Sequence, residues 1–122
     1  MKFLHMRIRV KDIDKTIRFY NENFGCEIVR ESTSPRGNKL VFLSLPGNNA
    51  VLELCQFPDD INKDFRIEED LFHMAFSVGS MKKAYEEMTA RGVKFTEGGP
   101  NDHMTFIDDP DGYEIELIEK RI

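Results

Sequence analysis

The sequence predicts an α+β fold made of two tandem copies of one unit, each a strand, a helix and three further strands. Three observations predict it. LHMRIRVKDIDKTIRFY, from Leu4, lies over FHMAFSVGSMKKAYEEM, from Phe72, without gaps, so that Leu4 meets Phe72, His5 meets His73, Met6 meets Met74 and Val10 meets Val78. VFLSLPGNNAVLEL resembles TFIDDPDGYEIEL, each an aromatic strand, a Pro/Gly turn and an alternating run ending Glu-Leu, which pairs Glu53 with Glu116. Both halves pass in the same order from a period of two to helical spacing and then reach a glycine, Gly25 or Gly92. Self-similarity of this kind marks a duplicated supersecondary unit.

Residues 3–10 alternate, with Leu4, Met6, Ile8 and Val10 on one face and His5, Arg7 and Arg9 on the other, the mark of a half-buried strand. Asp12 or Asp14 caps the next helix, with Ile13, Ile17 and Phe24 along its inner stripe. Strands follow over 27–31, 39–45 and 50–55. In the second half Phe72–Val78 repeats the first strand. Ser80 is the cap, Met81, Ala84, Tyr85 and Met88 fall at helical spacing, and Gly92 suits a left-handed stop. Strands follow over 93–97, 103–108 and 113–119. The boundaries are a first module of about 1–57, an acidic surface linker of about 58–70 and a second module of about 71–122, within one domain of 1–122. Neither half is large enough to bury both faces of a sheet, so the two are expected to share a core or a sheet.

A chain of 122 residues has the size of one domain. Its formal net charge of −5, without a basic block, argues against nucleic acid as a partner. No apolar run reaches the length of a membrane span, and MKFLHMRIRV is too evenly charged for a signal-peptide core. Cys26 and Cys55 lack metal-type spacing and sit in apolar stretches, which predicts buried reduced thiols and a cytoplasmic protein.

Strand parity decides which side chains share a surface. His5 and His73 lie opposite the apolar faces of their strands, Glu53 lies opposite Leu52 and Leu54, and Glu116 lies opposite Ile115 and Leu117. A lone strand histidine is more often solvated than a ligand. Here, however, two of only three histidines occupy equivalent positions of the repeat, each followed by an in-phase glutamate. Two imidazoles and two carboxylates form a ligand set for a divalent transition metal that leaves water positions open on an octahedral ion. Arg7 and Arg9 share the face of His5 and are candidates to meet an anionic substrate group. His103 reads as a surface loop residue or a lid contact, and Asp108, Asp109 and Asp111 around Pro110 read as turn chemistry rather than a calcium loop. No nucleophile elbow, phosphate-binding glycine loop or CxxC pair is present.

The stretches LHMRIRVKDIDKTIRFYNENFG, AVLEL, FHMAFSV and DPDGYEIELIEK, in this order and spanning nearly the whole chain, resemble the vicinal oxygen chelate superfamily and, within it, bacterial glyoxalase I. The resemblance implies paired βαβββ modules whose curved mixed sheets surround a central metal and substrate cavity, with helices on the outer face. It implies His5, Glu53, His73 and Glu116 as metal ligands, Glu116 as general base with Glu53 opposite it, and Arg9 as a contact to the glutathione part of the substrate. The implied metal is nickel or cobalt, then zinc or manganese. The implied reaction turns a 2-oxoaldehyde–thiol hemithioacetal into a 2-hydroxyacyl thioester through an ene-diolate. Phe57 stands where the family commonly has an asparagine for glutathione, so glutathione, another thiol and a different α-hydroxycarbonyl substrate all stay open. The alternatives are a related metalloenzyme, an epimerase or thiol transferase, and a metal-free module that binds antibiotics or other small molecules. The resemblance also implies a homodimer.

Overall fold

The computed structural model describes residues 1–65 and 71–120. The chain divides into two compact units, Met1–Phe65 and Arg66–Ile122. In the first, β1 (His5–Arg9) leads to α1 (Ile13–Phe24), then to β2 (Ile28–Thr33), β3 (Lys39–Ser44) and β4 (Val51–Gln56). In the second, β5 (His73–Val78) leads to α2 (Met81–Ala90), β6 (Phe95–Glu97), β7 (Met104–Asp108) and β8 (Glu114–Glu119). Among the described residues each unit forms its own sheet, β1-β4-β3-β2 or β5-β8-β7-β6. The first strand of each unit pairs parallel with the last, and the remaining pairs are antiparallel. A parallel pair needs a crossover connection, and the helix supplies it.

The repeat extends to the caps. Asp12 accepts from Lys15 N at 3.2 Å and Ser80 accepts from Lys83 N at 3.2 Å. A side chain at the end of the last strand takes a further orphan helix N–H in each unit. Gln56 Oε1 accepts from Ile13 N at 2.9 Å, and Glu119 Oε1 accepts from Met81 N at 2.8 Å. Gly25 ends α1 in the left-handed region at φ 69°, where a side chain would be strained.

Leu52, Leu54, Val41, Leu43 and Ile8 fill one face of the first sheet, and Ile115, Leu117, Ile107 and Met74 fill the corresponding face of the second. Tyr20 of α1 and Met88 of α2, which meet in the gapless alignment, are both buried. Three expectations are corrected. The inner stripe of α1 is Ile13, Thr16 and Tyr20, while Ile17 and Phe24 are only half-buried; small Thr16 lets the helix sit close. Leu4 precedes β1 and is exposed, although its carbonyl still accepts from Val51 N at 3.1 Å. The linker is not wholly a surface segment, since Asp60, in a 3-10 turn over Asp60–Asn62, is fully buried. The part of the expected linker at 66–70 lies outside the described residues.

Candidate metal and substrate site

Cross-strand register sets the polar face of each sheet. In the first unit Arg7 lies opposite Glu53, Glu53 opposite Phe42, and Phe42 opposite Arg30. In the second the same row reads Ala75, Glu116, Phe106 and Glu97. Directly opposed residues project to one face, so each row is a strip of neighbouring side chains.

The histidine lies diagonally beside the carboxylate in each strip. His5 Nε2 stands 4.0 Å from a Glu53 carboxylate oxygen, and His73 Nε2 stands 3.6 Å from one of Glu116. The ring of His5 meets Phe42 edge-on at 5.7 Å, and that of His73 meets Phe106 edge-on at 5.9 Å. Both imidazoles are 44% exposed, while Glu53 and Glu116 are only 5% and 16% exposed. Each unit therefore holds an open imidazole over a sunken carboxylate, with an aromatic ring setting the plane of the imidazole. Two ligands of one ion, each about 2.1 Å from it, sit about 3 Å apart when adjacent. Both pairs fit that spacing after a small side-chain adjustment. Among the described residues, no three histidine, cysteine or acidic side chains gather at one point. The four residues singled out by the repeat therefore come together as two pairs, one per unit.

The pairs differ in what surrounds them. Arg7 Nε donates to Glu53 Oε1, and this bond raises the pKa of the arginine further. Ala75 holds the equivalent place, and among the described residues no arginine or lysine is paired with Glu116. Glu114 lies directly opposite His73, where His5 has Val51. Arg9, the arginine singled out as a substrate contact, is gripped by Asp60 through Nε at 2.9 Å and Nη2 at 2.7 Å, with its guanidinium 4.1 Å from the centre of the Phe57 ring. The Arg9 hydrogen bonds hold the Asp60 carboxyl below its ordinary range, with help from Phe57 N at 2.8 Å.

Outside the strips, Asp109 accepts from Asp111 N and Tyr113 N, which is the turn chemistry expected around Pro110. Cys26 and Cys55 are buried and unbridged, and burial pushes the Cys26 thiol up to about 11. No helix among the described residues is long and apolar enough to cross a membrane. Sequence reasoning missed two residues of this region. Arg30 reaches the strip through a bulge at Val29, where the register slips between Ile28 and Arg30, and strand alternation cannot reveal an extra residue. Asp60 carried no signal, because its acidic neighbours read as a solvated segment.

Residues 2–117 match the profile of the Glyoxalase/Bleomycin resistance protein/Dioxygenase superfamily. The chain is 34% identical to the uncharacterized protein YwkD of Bacillus subtilis, covering 95% of this chain and 94% of that one. It is 33% identical to the lactoylglutathione lyase of Escherichia coli O157:H7, covering 99% and 94%. Its structure is similar to the trypanothione-dependent glyoxalase I of Leishmania major, with a TM-score of 0.86 at 32% identity over 98% of this chain and 86% of that one. Members of this superfamily bind a divalent metal.

Proposed function

Because the chain belongs to the Glyoxalase/Bleomycin resistance protein/Dioxygenase superfamily, we propose that it is a glyoxalase I-type lyase that isomerises the hemithioacetal of a 2-oxoaldehyde and a thiol to a 2-hydroxyacyl thioester. The observation that carries this reading is the matched His–Glu pair in each unit, at 4.0 and 3.6 Å. Near full-length similarity to a lactoylglutathione lyase supports the same reaction class.

His5, Glu53, His73 and Glu116 would hold one divalent ion, nickel or cobalt in first place and zinc or manganese in second. When bound, the ion supplies Lewis-acid polarisation of the two vicinal oxygens of the substrate. The rest falls to side chains. Glu116, paired with no arginine or lysine among the described residues, takes the proton from the thiol-bearing carbon and delivers it to the neighbouring carbon. The hydroxyl proton passes to the second oxygen, so that no atom or electron is gained or lost overall. Glu53, anchored by Arg7, stays in place as a ligand on the other side. Arg9, fixed by Asp60 and Phe57, is assigned to the thiol-bearing part of the substrate. The two pairs are proposed to meet across a homodimer, the pair from one protomer facing the other pair of its partner.

The test is turnover of methylglyoxal with glutathione and with other thiols, each in nickel, cobalt, zinc and manganese, together with elemental analysis of the purified protein. Glu116→Gln is expected to keep the fold while losing about 10³-fold or more of kcat. Near-normal turnover in that variant would remove Glu116 as the base. Protein that retains no stoichiometric metal and turns over no hemithioacetal would overturn the reading in favour of a binding module.

A further inference from the structure

Three arginines lie on the polar face of the first sheet, and two of them are committed to carboxylates of the chain itself, Arg7 to Glu53 and Arg9 to Asp60. Arg30 is different. Its guanidinium lies 4.1 Å from the centre of the Phe42 ring, and no carboxylate among the described residues is within ion-pair distance of it. Stacking occupies the flat faces of a guanidinium and leaves its in-plane N–H donors directed outward, the geometry that recognises a carboxylate. Phe42 itself meets His5 edge-on, so a single ring joins the cation to the His–Glu pair. Leu4, His5, Val29, Arg30, Phe42 and Val51 line a pocket of about 330 Å³ at this place. Leu4 and Val29 are 69% and 57% exposed, leaving apolar walls for a ligand to cover.

The second unit supplies an internal contrast. A bulge at Thr96 mirrors the one at Val29 and brings Glu97 opposite Phe106. The same backbone device thus presents a cation in one unit and an anion in the other. Bulges re-aim side chains in this way, and the fold alone does not require a charge of either sign there.

We propose that Arg30, laid on Phe42, is a specificity-determining residue that receives a carboxylate of the substrate, whose attached chain fills the pocket beside His5. The proposal rests on the hemithioacetal reading. The carboxylate belongs either to the thiol carrier or to the oxoaldehyde, and the experiment separates the two.

Wild type, Arg30→Met and Arg30→Lys are assayed with three hemithioacetals. These are methylglyoxal with glutathione, methylglyoxal with 2-mercaptoethanol, and 4,5-dioxopentanoate with 2-mercaptoethanol. The first carries its carboxylates on the thiol, the second has none, and the third carries one on the oxoaldehyde. Arg30→Met is expected to raise KM about tenfold for the first or the third, with kcat within about twofold. The carboxylate-free pair is expected to be unchanged, and Arg30→Lys to recover part of the loss. The arm that shifts identifies the source. Unchanged KM in all three arms, or an equal loss in all three, would overturn the proposal. If the wild type turns over no hemithioacetal, the enzymatic reading fails by itself. Arg30 is then judged by calorimetric titration with S-methylglutathione and with glutarate. Binding of either that Arg30→Met weakens about tenfold supports the carboxylate site; equal binding, or none to wild type, overturns it.

Discussion

At the scale of single residues, two polar pairs occupy strand positions that differ only in their neighbours. Arg7 is a charged difference bonded directly to a proposed ligand, and it acts as a partner that orients Glu53. Removal of such partners typically costs 10–100-fold in metal affinity or activity. Arg7→Ala, which copies the second unit, is therefore expected to weaken metal binding about tenfold or more, and to cost the metal-free fold about 1–3 kcal/mol by leaving the sunken Glu53 carboxylate without its cation. Competition with a chelator of known affinity measures this. Asp60 carries a pH dependence. Its carboxyl is held below the ordinary value of 3.8, chiefly by Arg9. A carboxyl with a lowered folded pKa stabilises the fold above its unfolded pKa, and that contribution is lost as pH falls through the folded value. Denaturant titrations should find wild type losing stability below about pH 4, with a shallower acid slope in Asp60→Asn. At pH 7 that variant is expected to cost about 2 kcal/mol, less than for a fully buried pair because Arg9 is partly exposed.

At the scale of elements, helix starts are over-determined. Asp12 and Ser80 cap from the chain just before each helix, and Gln56 and Glu119 cap from the end of each last strand. The second kind of cap ties the crossover helix to the strand that carries the proposed ligand three residues earlier. Ser80→Ala and Asp12→Ala are each expected to cost about 1 kcal/mol. Glu119→Leu is expected to cost a similar amount by leaving Met81 N unsatisfied. Chemical denaturation of the single and double variants checks both values, and the Ser80/Glu119 pair should be non-additive because both serve one helix end. Helix starts, the succession of elements along the chain and most boundaries were legible in the sequence because each depends on local chemistry, namely a capping oxygen, a period of two, or a glycine at positive φ. The face taken by Arg30 was not, because one bulged residue reverses the parity of everything beyond it.

At the scale of the whole molecule, the proposed quartet requires one pair from each unit. A dimer with each site shared between protomers makes a quantitative prediction. A His5→Ala/Glu53→Gln variant and a His73→Ala/Glu116→Gln variant, each inactive alone, are unfolded, mixed in equal amounts and refolded. Half the dimers are then mixed, each with one wild-type site and one carrying all four changes, so about a quarter of wild-type activity returns. No recovery, from a mixture confirmed by mass spectrometry to contain mixed dimers, would place the four ligands within one chain.

The duplication, the α+β class, the two histidines and two glutamates and the polar strand face that each pair shares are determined by the sequence itself. Repetition and strand alternation are properties of order along the chain, and every one of those statements needs only order. Which residues surround the pairs was decided by tertiary structure. Arg7 on Glu53, Ala75 beside Glu116, Asp60 under Arg9 and Arg30 on Phe42 are all contacts between strands or between a strand and a turn. They depend on register and on the slip of a single residue, quantities that hydrogen bonding between distant segments sets and that no local pattern encodes.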